Sequence, residues 1–330
     1  MHVAFCSERK GIWRDLFLED LMRVLLIGGT GFLGRQVVDR LLAQGHVLLV
    51  PTRDFSAGRK QLADSAVTLT QADVHEDAAL DRLVAGCDVV VNFVGILHSR
   101  GGQPYGADFD RAHVQLPRRI ALACQKYQVN RFIHISALGA DIQGPSGYLR
   151  SKAAGENAIR DVCWSVGHCS YTIFRPSVMF GPEDKFMNMF AQLARFLFVL
   201  PIARAHAKLQ PVFVGDVADA VAKLVAMPHA INKTYELAGP GVYTLGELVK
   251  LAALWSGRSR FVLALPMFLG RLQAMVFESL PGEPLMSRDN LASLSVDNVS
   301  TGPIDPDLDI EMTSLESVAP NYLQKNKCRT

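Results

Sequence analysis

A glycine-rich turn between an apolar strand and a helix constrains this chain more than any other feature. The turn GGTGFLG (28–34) follows the apolar run RVLLI (23–27), whose continuity predicts a parallel strand buried on both faces. Apolar residues then recur at helical spacing until Gly45, and HVLLV (46–50) predicts the next strand. These residues therefore predict a complete β-α-β unit with a glycine-rich first turn.

The alternation of strand and helix continues through the first half of the chain. Further strands are predicted at 66–73, 87–95, 131–136 and 171–181, and helices at about 78–85 and 111–127. This order predicts an α/β fold with a Rossmann-type doubly wound parallel sheet. Beyond residue 185 the rhythm is lost, although 209–216 and 234–239 predict strands and Thr244 with Glu247 predicts a helix capping box.

The spacing Gly28-x-x-Gly31-x-x-Gly34 suits a dinucleotide. Glycines at these positions let the backbone bend tightly and approach a pyrophosphate without an intervening Cβ. The unpaired N–H groups and the positive dipole end of the following helix then face the phosphates. A glycine-rich turn can also be simply a tight turn, but its place between a buried strand and an amphipathic helix favours nucleotide binding.

The end of the second strand indicates which dinucleotide binds. At this position an acidic residue accepts hydrogen bonds from the ribose 2′-OH of NAD(H), whereas an arginine meets the 2′-phosphate of NADP(H). Here the strand ends VPTRD, with Arg59 and Lys60 close behind. Arg53 therefore predicts NADP(H) as the preferred cofactor, and Asp54 keeps NAD(H) as the alternative.

A second group of residues has the composition of a proton-transfer site. Ser136 ends a predicted strand, and Tyr148 and Lys152 lie four residues apart, on one face of a predicted helix. A cation beside a phenol favours the phenolate, so we expect Lys152 to lower the pKa of Tyr148. Ser136 would then hydrogen-bond the reacting oxygen.

Composition argues against several other classes of protein. With 34 Lys and Arg against 32 Asp and Glu, and no block of like charge, the chain gives no indication of a nucleic-acid partner. The six cysteines lack a C-x-x-C pair and the nine histidines lack H-E-x-x-H, so we predict reduced thiols and no metal site.

Two apolar segments, 190–203 and 261–277, are interrupted by Arg and Pro and are shorter than the ~20 apolar residues of a membrane span. We therefore predict no transmembrane span. Packing in the core or in a lobe is the preferred interpretation of both segments. A surface that rests on a membrane or on a partner subunit is the alternative. The polar tail 289–309 predicts a loop.

These motifs resemble the short-chain dehydrogenase/reductase superfamily in its extended or atypical branch, which includes NAD-dependent epimerases and dehydratases. The closer resemblance is to the nucleotide-binding accessory subunits of respiratory complex I and their bacterial relatives. It runs from Met22 to about Leu323. The segments that carry it are GYLRSKAAGE (147–156), RPSVMFGPEDKFMNMF (175–190), QPVFVGDV (210–217) and FESLPGEPLMSRDN (277–290).

The resemblance implies a bound NADPH, with Arg53 as the basic residue after the second strand. It implies a catalytic group of Ser136, Tyr148 and Lys152, although His113 stands where many extended members have an asparagine, which departs from their usual proton relay. The residues predicted to contact the cofactor are Gly28, Thr30, Gly31, Phe32, Leu33, Gly34, Arg53, Asp73, Val74, Val94, Gly95, Tyr148, Lys152 and Pro176.

We divide the chain accordingly. Residues 1–21 lack the features of a signal or transit peptide and are interpreted as an extension outside the fold, with a short amphipathic helix as the alternative. Residues 22–185, with strands from about 209–239, form the NAD(P)-binding Rossmann domain. Residues 186–330 form mostly a C-terminal lobe that serves a substrate or a docking partner.

The sequence is compatible with two functions. The first is an NAD(P)-dependent oxidoreductase or epimerase/dehydratase acting on a hydrophobic carbonyl or hydroxyl substrate. The second is a non-catalytic, NADPH-binding accessory or assembly subunit of NADH:ubiquinone oxidoreductase, for which a bound nucleotide stabilises the fold. The intact Ser-Tyr-Lys group favours the enzyme. We expect a cytoplasmic protein, with a peripheral position on the inner face of the plasma membrane as the alternative.

Overall fold

A seven-stranded sheet forms the centre of the protein. The computed structural model describes residues 21–62, 66–166, 169–227, 232–282 and 284–325. Its central strands are β1 (Arg23–Ile27), β2 (Val47–Thr52), β3 (Thr68–Gln71), β4 (Val89–Asn92), β5 (Arg131–Ile135), β6 (Ser170–Pro176) and β11 (Lys233–Leu237). They lie in the order β3-β2-β1-β4-β5-β6-β11, and every neighbouring pair is parallel. The predicted doubly wound parallel sheet is confirmed.

Helices cover both faces of this sheet. The described residues form the helices α1 (Phe32–Ala43), α2 (Phe55–Gln61), α3 (Asp77–Val84), α4 (Ala107–Phe109), α5 (Leu116–Lys126), α6 (Gly147–Val166), α7 (Phe186–Phe196), α8 (Val214–Ala226), α9 (Leu245–Trp255), α10 (Met267–Ser279), α11 (Arg288–Ser293) and α12 (Leu315–Lys325). Helices α1 and α8 pack on one face, and α3, α5 and α6 on the other. The four apolar residues 24–27 of β1 are fully buried because both faces are covered.

The strand order reverses between β1 and β4. The chain leaves β1 towards β2 and β3 on one side and later adds β4, β5 and β6 on the other. Such a reversal leaves a crevice at the carboxyl ends of the two strands, where ligands of open α/β sheets bind. The glycine-rich turn follows β1 and therefore lies at this crevice.

Two predicted strands are wrong in their extent. The segment 171–181 divides because the central strand β6 ends at Pro176, and Met179–Phe180 (β7) pairs outside the central sheet with Val212–Phe213 (β10). The segment 209–216 adds no strand to the central sheet. Helix α8 already begins at Val214, and its buried face packs on α1. Strand β11, predicted at 234–239, does join the central sheet.

The helix predicted at 111–127 and the loop predicted at 289–309 also differ from the structure. The first begins at α4 and passes through a π-helical segment, Asp110–Gln115, before α5. In the second, Ser287 and Asn290 form a reciprocal capping box that starts α11, and Pro306–Leu308 adds a 3-10 turn. A Ser-x-x-Asn spacing is a weak sequence signal because capping boxes usually carry Glu or Gln.

The C-terminal lobe has a core of its own. Helices α7, α9 and α12 pack around Phe180, Met187 and Leu248. Thr244 and Glu247 cap α9 reciprocally, as predicted. Two further small sheets complete the lobe: β8 (Val199–Ala203) pairs in parallel with β13 (Phe261–Leu265), and β9 (Lys208–Leu209) pairs antiparallel with β12 (Tyr243–Thr244).

The buried carboxylate of Asp184 ties α12 to this lobe. It accepts hydrogen bonds from the Tyr322 hydroxyl at 2.6 Å and from the Met187 N–H at 2.6 Å. Within the described ranges, no helix combines the length and apolarity needed to cross a bilayer. The prediction for residues 1–21 falls on residues that, apart from Leu21, lie outside the described ranges.

Candidate nucleotide site and Tyr-Lys group

The glycine-rich turn has the backbone geometry that its spacing predicts. Gly28 has a φ of +82°, in the left-handed region that favours glycine. A Cβ on Gly34 would stand 2.6 Å from the carbonyl oxygen of Gly28, so only glycine fits there. Gly31 precedes α1 and offers no side chain to cap it, and the first turn of α1 has no acidic residue. The amide groups of Phe32, Leu33 and Gly34 therefore begin the helix without a side-chain cap.

The crevice beside this turn has the backbone features of a phosphate-binding site. A Cβ on Gly28 would lie 3.3 Å from the Val94 side chain, so the chain after β4 stands directly against the turn after β1. Val94 is held there because its N–H donates to the Asn92 side-chain oxygen at 3.1 Å. Uncapped amides, a helix N-terminus and a backbone without Cβ atoms are the elements of an anion site. Gly28, Thr30, Gly31 and Val94 thus lie together just after the carboxyl ends of β1 and β4.

Arg53 follows β2 directly and is exposed at the same edge of the sheet. The neighbouring Asp54 caps α2, because its side chain accepts a hydrogen bond from the Ala57 N–H at 2.9 Å. Asp73, after β3, accepts from the His75 N–H at 2.9 Å, and Val74 packs against the core beneath it. Pro176 ends β6, two strands from β4. These predicted cofactor residues therefore lie at or just after the carboxyl ends of central strands.

Tyr148 and Lys152 lie on α6, as the sequence predicts, and Lys152 is buried. Its Nζ donates to the carbonyl oxygen of Ile135 at 2.7 Å, which ties α6 to the end of β5. A Cβ on Gly95 would lie 3.8 Å from that Nζ and 3.8 Å from Nε2 of His113. The structure therefore brings Gly95 and Lys152 together at the carboxyl end of the sheet, with Tyr148 one helical turn from Lys152.

The electrostatics of this pair differ from the expectation. Burial raises the pKa of Tyr148 to about 12, and no charged neighbour among the described residues offsets this rise. Burial lowers the pKa of Lys152 to about 8, against the opposing effect of the Glu156 carboxylate. Lys152 directs its charge at the Ile135 carbonyl, so it does not acidify the phenol. Tyr148 is consequently a protonated phenol at neutral pH.

Ser136 is held by a buried carboxylate that the sequence analysis missed. Its hydroxyl donates to Oε1 of Glu156 at 2.6 Å. Glu156 is fully buried and also accepts from Nε and Nη2 of Arg175 at 2.8 and 2.7 Å, and from Arg160 at 2.9 Å. Because the Ser136 hydroxyl donates its hydrogen bond to Glu156, Ser136 can still accept a hydrogen bond but does not donate one to a substrate carbonyl. The predicted orienting role conflicts with this arrangement.

The signal for Glu156 was present in the sequence. Glu156 follows Lys152 by four residues in SKAAGE, which places both on one face of α6. Burial disfavours the ionised carboxylate, but hydrogen bonds from Arg175 and Ser136 outweigh it and lower the pKa of Glu156 below its ordinary value. The two arginines come from β6 and α6, and only the fold shows that they converge.

His113 lies in the π-helical segment and packs beside Tyr148. Its Nε2 accepts from the Ile96 N–H at 3.0 Å, and its Nδ1 lies 2.9 Å from the Ser151 hydroxyl. Ser151 donates its own proton to the Tyr148 carbonyl oxygen, so Nδ1 of His113 carries the ring proton. Burial and the nearby Lys152 charge lower the pKa of His113 well below its ordinary value. His113 is therefore a neutral support for Ile96 and Ser151.

The described residues contain no cluster of His, Cys, Asp or Glu side chains suited to a metal ion. The cysteines at 87, 124, 163 and 169 are buried free thiols. Burial raises the pKa of Cys87 above its ordinary value, so this thiol stays protonated.

Comparison with known proteins agrees with this geometry. The model of the NAD dependent epimerase/dehydratase family matches residues 24–238, which include the glycine turn, Tyr148 and Lys152. The chain belongs to this family. A UDP-glucose 4-epimerase of Thermus thermophilus, solved in complex with NAD, has the same fold, with a TM-score of 0.60 and 21% identity over 84% of this chain and 98% of that one.

The names of two further relatives state a role. The chain is 31% identical over 309 residues to the NADH dehydrogenase (ubiquinone) 1 alpha subcomplex subunit 9, mitochondrial, of Mus musculus, across 92% of this chain and 80% of the mouse protein. It is 33% identical over 208 residues to a ceramide reductase of Caulobacter vibrioides, across 62% of this chain and 60% of that protein. Within one family, the chain is thus similar both to a subunit of complex I and to an enzyme.

Replacing Glu156 with glutamine should destabilise the protein by about 3 kcal/mol, because two arginines lose their buried partner. The measurement is urea unfolding at neutral pH, with Ser136→Ala as the control that removes one hydrogen bond and costs about 1 kcal/mol. The depressed pKa means that the contribution of Glu156 is complete above pH 4.5, the ordinary value, and is lost as pH falls through the lower folded value. Equal stabilities of the glutamine variant and the wild type would contradict this assignment.

Proposed function

We propose that the protein is an NADPH-binding accessory subunit of NADH:ubiquinone oxidoreductase, in which the nucleotide stabilises the fold. The observation that carries this proposal is the hydrogen bond of the Ser136 hydroxyl to the buried Glu156 carboxylate. It removes the hydroxyl donor that a carbonyl substrate would need. Tyr148, with its pKa raised to about 12, lacks the acidified phenol of an efficient proton exchanger. Similarity to the mouse complex I subunit across 92% of the chain supports the same role.

The residues after β2 favour NADPH over NADH. The Asp54 carboxylate is occupied as the cap of α2, so it competes poorly for a ribose 2′-OH. Arg53 is exposed beside it, and Arg59 lies on the next helical turn over the Phe55 ring. A guanidinium group binds a phosphate more tightly than it binds a neutral hydroxyl. The 2′-phosphate is therefore the group that this edge recognises.

Replacing Arg53 with alanine should weaken NADPH binding by about tenfold or more and leave NADH binding nearly unchanged, because only NADPH carries the 2′-phosphate. Isothermal titration with both nucleotides measures the two affinities. Arg82→Ala removes an exposed arginine from α3 and serves as the charge-matched control. Equal losses for NADPH and NADH would exclude a phosphate contact of Arg53.

The accessory role is tested in membranes of the native cell. After solubilisation with mild detergent and separation of complexes by size, we expect the protein to co-migrate with NADH:ubiquinone oxidoreductase activity. NADPH should be recovered from the purified complex in its reduced form, because the proposed role involves no turnover of the nucleotide. Migration of the wild type as a small species without this complex would overturn the proposal.

A reductase is the second candidate, and the position of the half-buried Tyr148 one helical turn from the buried Lys152 favours it. A phenol with a pKa of about 12 stays protonated, so it can donate a proton to a developing alkoxide but cannot take one from an alcohol at neutral pH. A bound nicotinamide would supply the reducing equivalent. Tyr148 would donate the proton, and Lys152 would hold the cofactor ribose. The similarity to a ceramide reductase suits a hydrophobic carbonyl substrate for this direction of reaction.

Replacing Tyr148 with phenylalanine separates the two candidates. If the protein is a reductase, this change should abolish the reduction of long-chain ketones and leave NADPH affinity within about twofold, since it removes only the hydroxyl. The rate is followed by NADPH absorbance, with Tyr127→Phe at the end of α5 as the control. An unchanged rate would remove Tyr148 from the chemistry, and no rate in the wild type would favour the accessory role.

A further inference from the structure

The C-terminal lobe exposes a continuous apolar surface, which we call the lobe face. It is formed by the end of α7, the strands β8 and β13, and helix α10. Its aromatic side chains are unusually open: Phe196 and Phe261 are each 81% exposed, Phe198 is 76% exposed and Phe268 is 70% exposed. Apolar patches of this extent mark interaction sites. The interpretation of segments 190–203 and 261–277 as core packing is therefore wrong for these side chains.

The strands of the lobe face hold their aromatic residues side by side. Phe261 is the register partner of Val199 in the parallel pair of β13 and β8. The Phe261 N–H also donates to the carbonyl oxygen of Phe198 at 3.2 Å. Helix α10 packs closely on β8, because a Cβ on Gly270 would stand only 2.4 Å from that of Ala203. The aromatic strands and the helix therefore belong to one surface unit.

Helix α10 turns its apolar side away from the protein. Gly270 and Ala274 are buried against the lobe, whereas Leu272 and Met275 are 56% and 52% exposed. Phe268 lies one turn before Leu272, on the same outward side. A surface helix of a globular protein normally presents polar residues to water. The reversed pattern of α10 predicts a non-aqueous environment for its outer face.

The segments that form the lobe face carry mostly basic charge. Residues 186–215 and 248–277 contain seven Lys and Arg residues and no Asp or Glu. The Arg260 guanidinium lies 4.6 Å from the centre of the exposed Phe198 ring, so cation and apolar group are adjacent. Arg271 is exposed on α10 itself. The next acidic residue, Glu278, is paired with Arg288 at 2.7 Å, which neutralises it.

We infer that the lobe face docks on the surface of a bilayer that contains anionic phospholipid. Apolar side chains of an interfacial helix enter the boundary between headgroups and acyl chains, and arginines beside them bind the lipid phosphates. A protein partner would need acidic groups matched to each arginine, whereas a fluid anionic surface meets all of them at once. The inference goes beyond the proposed function, because it applies to an accessory subunit and to a reductase alike.

Vesicle flotation with the purified full chain tests this inference directly. We expect the protein to float with vesicles of phosphatidylcholine and phosphatidylglycerol and to bind those of phosphatidylcholine alone far more weakly. The double variant Leu272→Ser/Met275→Ser should reduce binding by about tenfold or more, since it removes apolar area that becomes buried only when the lobe face enters the bilayer surface. Arg271→Gln should reduce binding to the anionic vesicles by about fivefold. Both variants should unfold at the wild-type temperature, because the residues replaced are exposed.

A matched control and a mass measurement keep the outcomes distinct. Trp164→Ser removes a 91% exposed aromatic from α6, outside the lobe face, and should float like the wild type. The inference is overturned if the wild type fails to float, or if the double variant floats as well as the wild type. It is also overturned if light scattering shows that the wild type is a dimer and the double variant is a monomer, because a second copy of the chain then covers the lobe face. None of these results depends on nucleotide binding or on complex I, so the proposed function is tested separately.

Discussion

The buried Glu156 carboxylate is the interaction on which the site depends. It joins the end of β5 through Ser136, strand β6 through Arg175 and its own helix through Arg160. A fully buried charge is tolerable only when its partners surround it, so these three elements are constrained to one arrangement. The same carboxylate lies one helical turn from Lys152 and opposes the effect of burial on that amine. Structural order and chemical reactivity are therefore coupled at this position.

The same geometry is compatible with the proposed role as a nucleotide-binding subunit. The features of an anion site are the glycine turn, the α1 N-terminus and the exposed Arg53. These features do not require Tyr148 to transfer a proton. Because retention of a nucleotide stabilises the folded state, such a site can persist without turnover. The hydrogen-bond partners of Ser136 and Lys152, rather than the presence of the Ser-Tyr-Lys residues, decide whether proton transfer is available. The lobe face adds a second surface whose chemistry is separate from the crevice.

Short-range sequence patterns predict the structure correctly where a segment is buried on both faces or where neighbouring residues alone set its conformation. The apolar run of β1, the glycine spacing and the helical spacing of Tyr148 and Lys152 each follow from short-range rules, and the structure contains all three. Reasoning from sequence erred where distant residues decide. The segment 209–216 is apolar, yet it contributes the start of a helix, because α8 packs on α1. The prediction that Lys152 lowers the pKa of Tyr148 is wrong, because the Lys152 amine donates its hydrogen bond to the backbone carbonyl of Ile135.

The sequence by itself determined the class of fold, the glycine-rich turn after the first strand and the position of Arg53 after the second strand. These properties depend on periodicity, on the absence of Cβ atoms and on residue type, all of which are readable along the chain. Only the tertiary structure decided that Glu156 receives Ser136, that His113 is neutral and that the apolar residues of α10 face outwards. Burial, partner choice and the direction of a helix face are set by elements far apart in sequence. No local pattern can specify them.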